Sequence, residues 1–365
     1  MSKSQGAKDE RLRVAPGSAR ATTNGSRVYS VNIVGASGYV GAELVRLTLA
    51  HPNFTLKNLF AFSKAGQFIG DLFPSFQFEL EDKKLLAMDE APVDDCDIVF
   101  LALPHTQSQQ VVLELTNANV TVVDLSADFR FEDPKTFESW YLTPHLNPEK
   151  QADFVYGLPE LHRDRLRTTK YIASPGCYPT ASILATKPFL DEGLLSGNSV
   201  IVDAASGVSG AGSNATDATI FGSIDSNFKA YGLIDHRHTP EISKELGVDV
   251  LFTPHLVPMP RGILATCYIP CTTQLTHDDL TGIYSKKYAD EPFVQVSSTP
   301  PQTKQVTGTN HCIVSAFYDE RTQHIIALGA IDNLVKGAAG QAIQAANISL
   351  GIDETAGLTA VALYP

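Results

Sequence analysis

The residues best suited to chemistry gather around Cys177, in the run Ala173-Ser174-Pro175-Gly176-Cys177-Tyr178-Pro179-Thr180. This run reads as a short strand, a Pro-Gly turn and a helix that opens at the cysteine. A thiol at a helix N-terminus lies against unpaired backbone N–H groups and feels their partial positive charge. That environment lowers a thiol pKa and favours the thiolate, the form that attacks carbon. Pro179 suits the first turn of the helix, where a missing N–H costs nothing. The competing reading is a buried packing cysteine, the usual fate of a free Cys. The turn, the helix start and the surrounding residues favour a nucleophile.

A second cluster, Asp235-His236-Arg237-His238-Thr239-Pro240-Glu241, concentrates two imidazoles, a guanidinium and a carboxylate. Thr239-Pro240-Glu241 reads as a helix start with Thr239 as N-cap, which leaves the histidines in the preceding loop. Two residues apart in an extended segment, His236 and His238 face the same way. A metal pair would need a third ligand that the sequence does not offer. Acid/base work beside a cysteine is the more economical reading, with His236 favoured over His238 and Glu241 orienting a histidine or a substrate amide. No metal is expected. Arg130, closing the loop Asp124-Leu125-Ser126-Ala127-Asp128-Phe129-Arg130, and Arg261, in Pro258-Met259-Pro260-Arg261-Gly262, each read either as a bidentate anion clamp or as an ordinary salt-bridge partner.

A nucleotide site is legible near the start. The β-rich run 28–34 is followed by Gly35-Ala36-Ser37-Gly38-Tyr39-Val40-Gly41 and then by a helical pattern with Val40, Leu44 and Leu47 on one face. Glycines spaced this way between a strand and a helix allow a tight turn. They also let the backbone approach a pyrophosphate, whose charge the helix N-terminus receives. Gly35, Ser37, Gly38, Tyr39, Val40 and Gly41 are therefore expected to bind a dinucleotide. The second strand ends Phe60-Ala61-Phe62-Ser63-Lys64. It lacks the carboxylate that would take a ribose 2′-hydroxyl. Ser63 and Lys64 would instead welcome a 2′-phosphate, so NADP(H) is predicted. A second glycine-rich loop, Ser206-Gly207-Val208-Ser209-Gly210-Ala211-Gly212, either lets the backbone approach the cofactor through Ser206 and Gly207 or is a flexible connector.

These residues need a scaffold, and the pattern supplies one. Strands are predicted at 28–34, 56–62, 97–103, 120–124 and 171–173, separated by helical or loop segments. That alternation implies a parallel sheet covered on both faces. Beyond Cys177 strands outnumber helices. They are predicted at 200–203, 250–253, 263–270, 312–318 and 324–330, the last two flanking a hairpin loop at 319–323. A helical segment, 334–350, follows. The reading is an α/β Rossmann domain, 28–173 plus 334–365, and an α+β catalytic domain with a mixed or antiparallel sheet, 174–333.

Bulk properties narrow the class. The chain has 365 residues, with a net charge of −12 and 43% hydrophobic content. This suits a soluble two-domain protein and argues against a nucleic-acid surface. No apolar run is long enough to span a bilayer. Five widely spread cysteines fit free thiols in a reducing, cytoplasmic setting. Cys267 and Cys271 share a strand face, and packing is preferred to a metal pair. Residues 1–27, rich in Ser, Thr, Gly, Ala and basic side chains, read as a disordered tail. An organelle-targeting peptide is disfavoured by Asp9 and Glu10.

Taken together, GASGYVGAELVRL from Gly35, DLSADFR from Asp124, SPGCYPT from Ser174, SGVSGAG from Ser206, HRHTPEI from His236 and PMPRGIL from Pro258 resemble the N-acetyl-gamma-glutamyl-phosphate reductase family. The resemblance covers nearly the whole chain after the tail. It implies a semialdehyde dehydrogenase-like fold whose C-terminal helix returns to the first domain, with Asn333 at the nicotinamide end of the cofactor. It also implies NADPH-dependent reduction of an acyl phosphate, N-acetyl-L-glutamyl 5-phosphate, to the 5-semialdehyde through a Cys177 thioester, in arginine biosynthesis. Substrate contacts are expected from Arg130, Ser174 and Arg261, and a homodimer or homotetramer is expected. The alternatives are a sister enzyme acting on aspartyl phosphate or carrier-linked aminoadipyl phosphate, and a catalytically silent NADP-binding protein.

Overall fold

The computed structural model describes residues 27–363, apart from 215 and 218. The expected tail, apart from Arg27, lies outside the described residues. The first unit grows from the strand–turn–helix at its start: β1 (Tyr29–Val34), the glycine turn and α1 (Tyr39–Ala50). It continues through β2 (Phe54–Phe60), β3 (Ile98–Leu101), β4 (Thr121–Asp124), β5 (Val155–Tyr156) and β6 (Tyr171–Ala173). All six strands are parallel, in the order β2-β1-β3-β4-β6-β5. The central strands β3 and β4 are buried throughout, as strands covered on both faces are; β3 is an unbroken apolar run, and β4 carries Val122 and Val123 between Thr121 and Asp124. Strand order reverses at β1, so the carboxyl ends of β1 and β3 splay into the crevice where such sheets bind ligands.

The second unit starts with α2 (Cys177–Asp191) and β7 (Ser199–Gly207), then β8 (Lys229–Ala230), α3 (Thr239–Leu246), β9 (Asp249–Val257), β10 (Ile263–Pro270), α4 (His277–Lys287), β11 (Val294–Val296), β12 (Cys312–Asp319) and β13 (His324–Ile331). The seven strands run in the order β11-β12-β13-β10-β7-β9-β8. The sheet is mixed, because β7–β9 and β11–β12 pair in parallel and the other pairs are antiparallel. β10 alternates buried and half-buried residues along its length, so one face is covered and the other is not. α2 lies on the covered face. Gly329 of β13 allows this closeness, since a Cβ there would stand 2.5 Å from the Ala181 carbonyl oxygen. Cys267 and Cys271 are buried free thiols in that core.

The chain then returns to the first unit. A π-helical turn, Val335–Ala339, leads into α5 (Gly340–Ser349). Val335, Ala342 and Ile343 pack with Val31, Leu44 and Phe100 in one core. Three strands escaped the sequence reading. β5, β8 and β11 have only two or three residues, too few to show a period of two.

The two units are pinned by Arg261, and this corrects its expected role. Its guanidinium reaches Glu43 of α1 at 2.6 Å and Asp332, just past β13, at 3.4 Å. Arg46 also pairs with Glu43. Arg261 does not line the cleft described below. Both carboxylates are buried, so the guanidinium is committed to them and is not available as an anion clamp. Arg261→Ala should lower stability by about 1–3 kcal/mol, read as a urea midpoint shift, because it takes a shared cation from two buried carboxylates, leaving Glu43 with Arg46 and Asp332 with the N–H groups of Gly308, Leu334 and Val335. Arg261→Lys should lose less.

Candidate active site

The carboxyl ends of β1, β3, β4 and β6 open into one cleft of about 1080 Å3 between the two units. Cys177 sits on its floor as the first residue of α2, with Gly176 as an uncapped N-cap. The turn before it is held by a buried frame. Glu241 accepts the Gly176 N–H at 2.8 Å and the Tyr156 hydroxyl at 2.7 Å on Oε1. Its Oε2 accepts Arg130 Nη1 at 3.0 Å. Arg130 also donates from Nε to the Ser174 carbonyl at 2.8 Å and from Nη2 to the Leu125 carbonyl at 3.0 Å. The side chains of Arg130 and Glu241 are 4% and 1% exposed. Glu241 therefore orients the cysteine turn, and no hydrogen bond joins it to either histidine. Arg130 lines the cleft but spends much of its donor fork on the frame. Ser174 also lines the cleft, and its Oγ is buried without a partner.

Burial pushes the Cys177 thiol up to about 11, while the Tyr178 N–H and the Arg130 charge pull it down. The sequence argument weighed only the helix end. In the folded protein desolvation outweighs it, so the unliganded site holds a thiol.

The histidines sit where the loop reading placed them, with one shift: α3 begins at Thr239, and His238 occupies the cap position. The His238 backbone N–H donates to His236 Nδ1 at 3.1 Å. That bond fixes the His236 proton on Nε2 and occupies its other lone pair. His238 packs on the cysteine turn so tightly that a Cβ at Gly176 would lie 2.5 Å from its Nε2. Its Nδ1 is buried without a partner, so no hydrogen bond dictates which nitrogen carries the proton. Burial lowers His236 to about 4 and His238 well below the usual imidazole range. Both rings are neutral at pH 7. Among the described residues no three His, Cys, Asp or Glu side chains cluster closely enough to hold a metal ion.

The glycine turn forms the other end of the cleft. Gly35 has φ of +84°, and a Cβ there would meet the Ala102 carbonyl oxygen at 2.2 Å. Gly41 is equally required by packing, with the Gly35 carbonyl oxygen 2.3 Å from its Cβ position. Gly38 is different. Its nearest neighbour would be 3.6 Å away, so the fold leaves space there. Gly38 also caps α1 with no side-chain hydrogen bond, leaving the helix N-terminus bare toward the cleft. Open space beside bare N–H groups is the cradle a pyrophosphate requires. Ser37, Tyr39, Val40 and Ser63 line the same end, whereas Lys64 is exposed just beyond it.

On the opposite wall Ser206 lines the cleft but Gly207 does not. A Cβ on Gly207 would stand 2.8 Å from the Met259 carbonyl oxygen, so this glycine serves packing, which corrects its expected cofactor contact. Asn333 lines the cleft and ties the wall together. It accepts the Gly262 N–H at 2.8 Å and donates to Ser209 Oγ at 3.0 Å.

Among the lining residues that escaped the sequence reading, two stand closest to the chemistry of the cleft. His105 follows β3, and its position just past a strand end was the available signal. Gly337 lies in the π-helical turn, and a Cβ on it would be 2.7 Å from Cys177 Cβ. Nothing local in the sequence marks that contact, which joins residues far apart in the chain.

Comparison with known proteins agrees with this architecture. Residues 30–169 match the family described as semialdehyde dehydrogenase, NAD binding domain. Residues 177–333 match semialdehyde dehydrogenase, dimerisation domain. The chain is 46% identical over 347 residues to the N-acetyl-gamma-glutamyl-phosphate reductase of Desulforudis audaxviator, covering 92% of this chain and 99% of that one. It is 44% identical over 345 residues to that of Marinobacter nauticus, with the same coverage. Among solved structures, aspartate semialdehyde dehydrogenase II of Vibrio cholerae, complexed with ASA, superposes with a TM-score of 0.68 at 18% identity, covering 89% of this chain and 99% of that one. Aspartate semialdehyde dehydrogenase of Candida albicans, solved with NADP, gives 0.65 at 16% identity, covering 88% and 98%.

Two outcomes follow from the geometry. Gly337→Ala should displace Cys177 and cut turnover about 100-fold or more, with circular dichroism unchanged. In the unliganded protein, iodoacetamide should alkylate Cys177 slowly at pH 7. The rate should climb about tenfold per pH unit and level off only near 11, since the raised pKa keeps the sulfur protonated below it.

Proposed function

The chain belongs to the N-acetyl-gamma-glutamyl-phosphate reductase family, and we propose that Cys177 is its nucleophile and His238 the group that moves its proton. The protein is an oxidoreductase of arginine biosynthesis with a Rossmann-type NAD(P)-binding domain. It reduces N-acetyl-L-glutamyl 5-phosphate to the 5-semialdehyde through a cysteine thioester. Cys177 Sγ attacks the acyl carbon, the carbon–oxygen bond to phosphate breaks, and a thioester forms. His238 accepts the thiol proton as the sulfur bonds to carbon. His236 cannot take that role without breaking its bond to the His238 N–H, so it acts as an Nε2–H donor. The N–H groups at the start of α2 receive the developing oxyanion. A dinucleotide held in the glycine cradle would supply the hydride that reduces the thioester carbon. When the resulting thiohemiacetal collapses, the carbon–sulfur bond breaks, the aldehyde leaves and His238 returns the proton to Cys177.

Gly35, Ser37, Gly38, Tyr39, Val40 and Gly41 would hold the pyrophosphate end of the dinucleotide. The absence of a carboxylate at the Phe60–Lys64 strand end, with Ser63 in the cleft and Lys64 beside it, supports NADP(H) over NAD(H). The uncovered face of the mixed sheet carries exposed Ile201 and Leu251 and half-buried Tyr268 and Leu328. It is the surface best suited to a second copy of the chain, giving a homodimer or a homotetramer built from such dimers.

One observation carries the mechanism: Cys177 opens a helix on the cleft floor with His238 packed on its turn, in a chain matching this family along its length. Cys177→Ser should reduce turnover at least about a thousandfold in the reverse assay with N-acetylglutamate semialdehyde, phosphate and NADP+, while NADPH binding by fluorescence titration is unchanged. Near-normal turnover would refute the thioester.

A further inference from the structure

The mechanism uses the floor of the cleft and leaves one wall unexplained. His105, just past β3, lines that wall and meets the Tyr141 ring edge-on at 5.4 Å between centroids. Arg237 lines it too, with its guanidinium carbon 5.1 Å from the same ring's centroid. Arg237 lies between the two site histidines in sequence and is exposed. Among the described residues its guanidinium has no ion-pair or hydrogen-bond partner. Tyr141 is 6% exposed, and its hydroxyl is buried without a partner. A cation and an imidazole on the wall, with an orphaned hydroxyl buried behind them, mark an incomplete polar site, since buried polar groups are normally satisfied.

The wall is also held rigidly. His105 Nδ1 accepts the Ala127 N–H at 3.2 Å, which puts the ring's proton on Nε2. The next residue, Thr106, has φ of +73°, a left-handed conformation that a β-branched side chain disfavours. Asp128 holds it there by accepting the Thr106 N–H at 2.6 Å. Local strain kept in place by a buried carboxylate is a feature of functional loops.

We propose that His105 and Arg237, backed by the buried Tyr141 ring, form the subsite for the substrate's α-carboxylate, an inference that rests on the reaction assigned above. The phosphate is bonded directly to the acyl carbon and must stay beside Cys177, where Ser174 Oγ, Arg130 and the α2 N-terminus lie. The carboxylate is four carbon–carbon bonds away from that carbon and reaches toward the exposed Arg237. A planar carboxylate matches the guanidinium fork, with the His105 Nε2–H as a further donor. This subsite selects an acyl phosphate that carries a carboxylate at the far end of its chain.

The test compares two aldehydes in the reverse reaction: N-acetylglutamate semialdehyde and 4-acetamidobutanal, the same molecule with hydrogen in place of the carboxylate. Wild type should favour the first. Arg237→Gln should raise its KM about 10- to 100-fold. His105→Asn, which keeps an acceptor for the Ala127 N–H but removes the Nε2–H, should raise it about tenfold or more. Neither should change kcat/KM for 4-acetamidobutanal or the KM for phosphate. Tyr141→Phe should act in the same direction more weakly. Equal losses with both aldehydes, or an effect confined to phosphate, would overturn the subsite. Wild type that uses both aldehydes equally would overturn it while leaving the reaction intact. Wild type that uses neither would overturn the reaction, and the subsite with it.

Discussion

The buried pair of Arg130 and Glu241 is the interaction on which the site depends. Arg130 comes from the loop after β4 in the first unit and Glu241 from the first turn of α3 in the second. Between them they fix the Ser174 carbonyl, the Leu125 carbonyl, the Gly176 N–H and the Tyr156 hydroxyl. The cost of burying two charges is offset only when every remaining donor and acceptor is engaged, and here most are. One charge pair therefore welds the parallel sheet, the cysteine turn and the histidine loop into a single geometry. The Arg261 contact with Glu43 and Asp332 repeats the device at the other end of the domain junction.

Welding the site this way also desolvates its side chains in part, and that desolvation sets its electrostatics. Cys177, His236 and His238 are all driven toward their neutral forms, chiefly by desolvation. A neutral thiol sharing one cleft with two neutral imidazoles is a quiet resting state. In the mechanism proposed above, charge is created as the sulfur bonds to carbon, beside the N–H groups at the α2 start. The space for substrate and cofactor comes from small residues at close approaches. Gly176 makes room for His238, Gly337 for Cys177, and Gly35 and Gly41 for the turn that frames the dinucleotide end.

Much of the fold was legible because its signals are local. The glycine turn after β1, the apolar run of β3, the hairpin between β12 and β13 and the helix opening at Cys177 all lie within short windows. Periodicity and turn chemistry act over such windows. The short strands β5, β8 and β11 carry no such pattern and exist because neighbouring strands pair with them. The parallel pair β7–β9, which helps make the second sheet mixed, joins segments far apart in the chain. The helical C-terminal segment was visible, but the π-helical turn that places Gly337 on Cys177 was not.

The sequence by itself singled out residues that meet at the cleft: the cysteine, the two histidines and the glycine turn, with Glu241 buried behind them. Each belongs to a motif a few residues long, and the motif's local backbone follows from the residues in it. The tertiary structure alone decided what each does. It turned Arg261 from an anion clamp into a strut, Glu241 into the anchor of the cysteine turn and Gly207 into a packing residue. It also reversed the expected direction of the Cys177 pKa and brought His105 to the cleft wall. These outcomes depend on burial and on partners from distant segments. Desolvation and charge pairing are properties of the packed interior, which no local window of the chain contains.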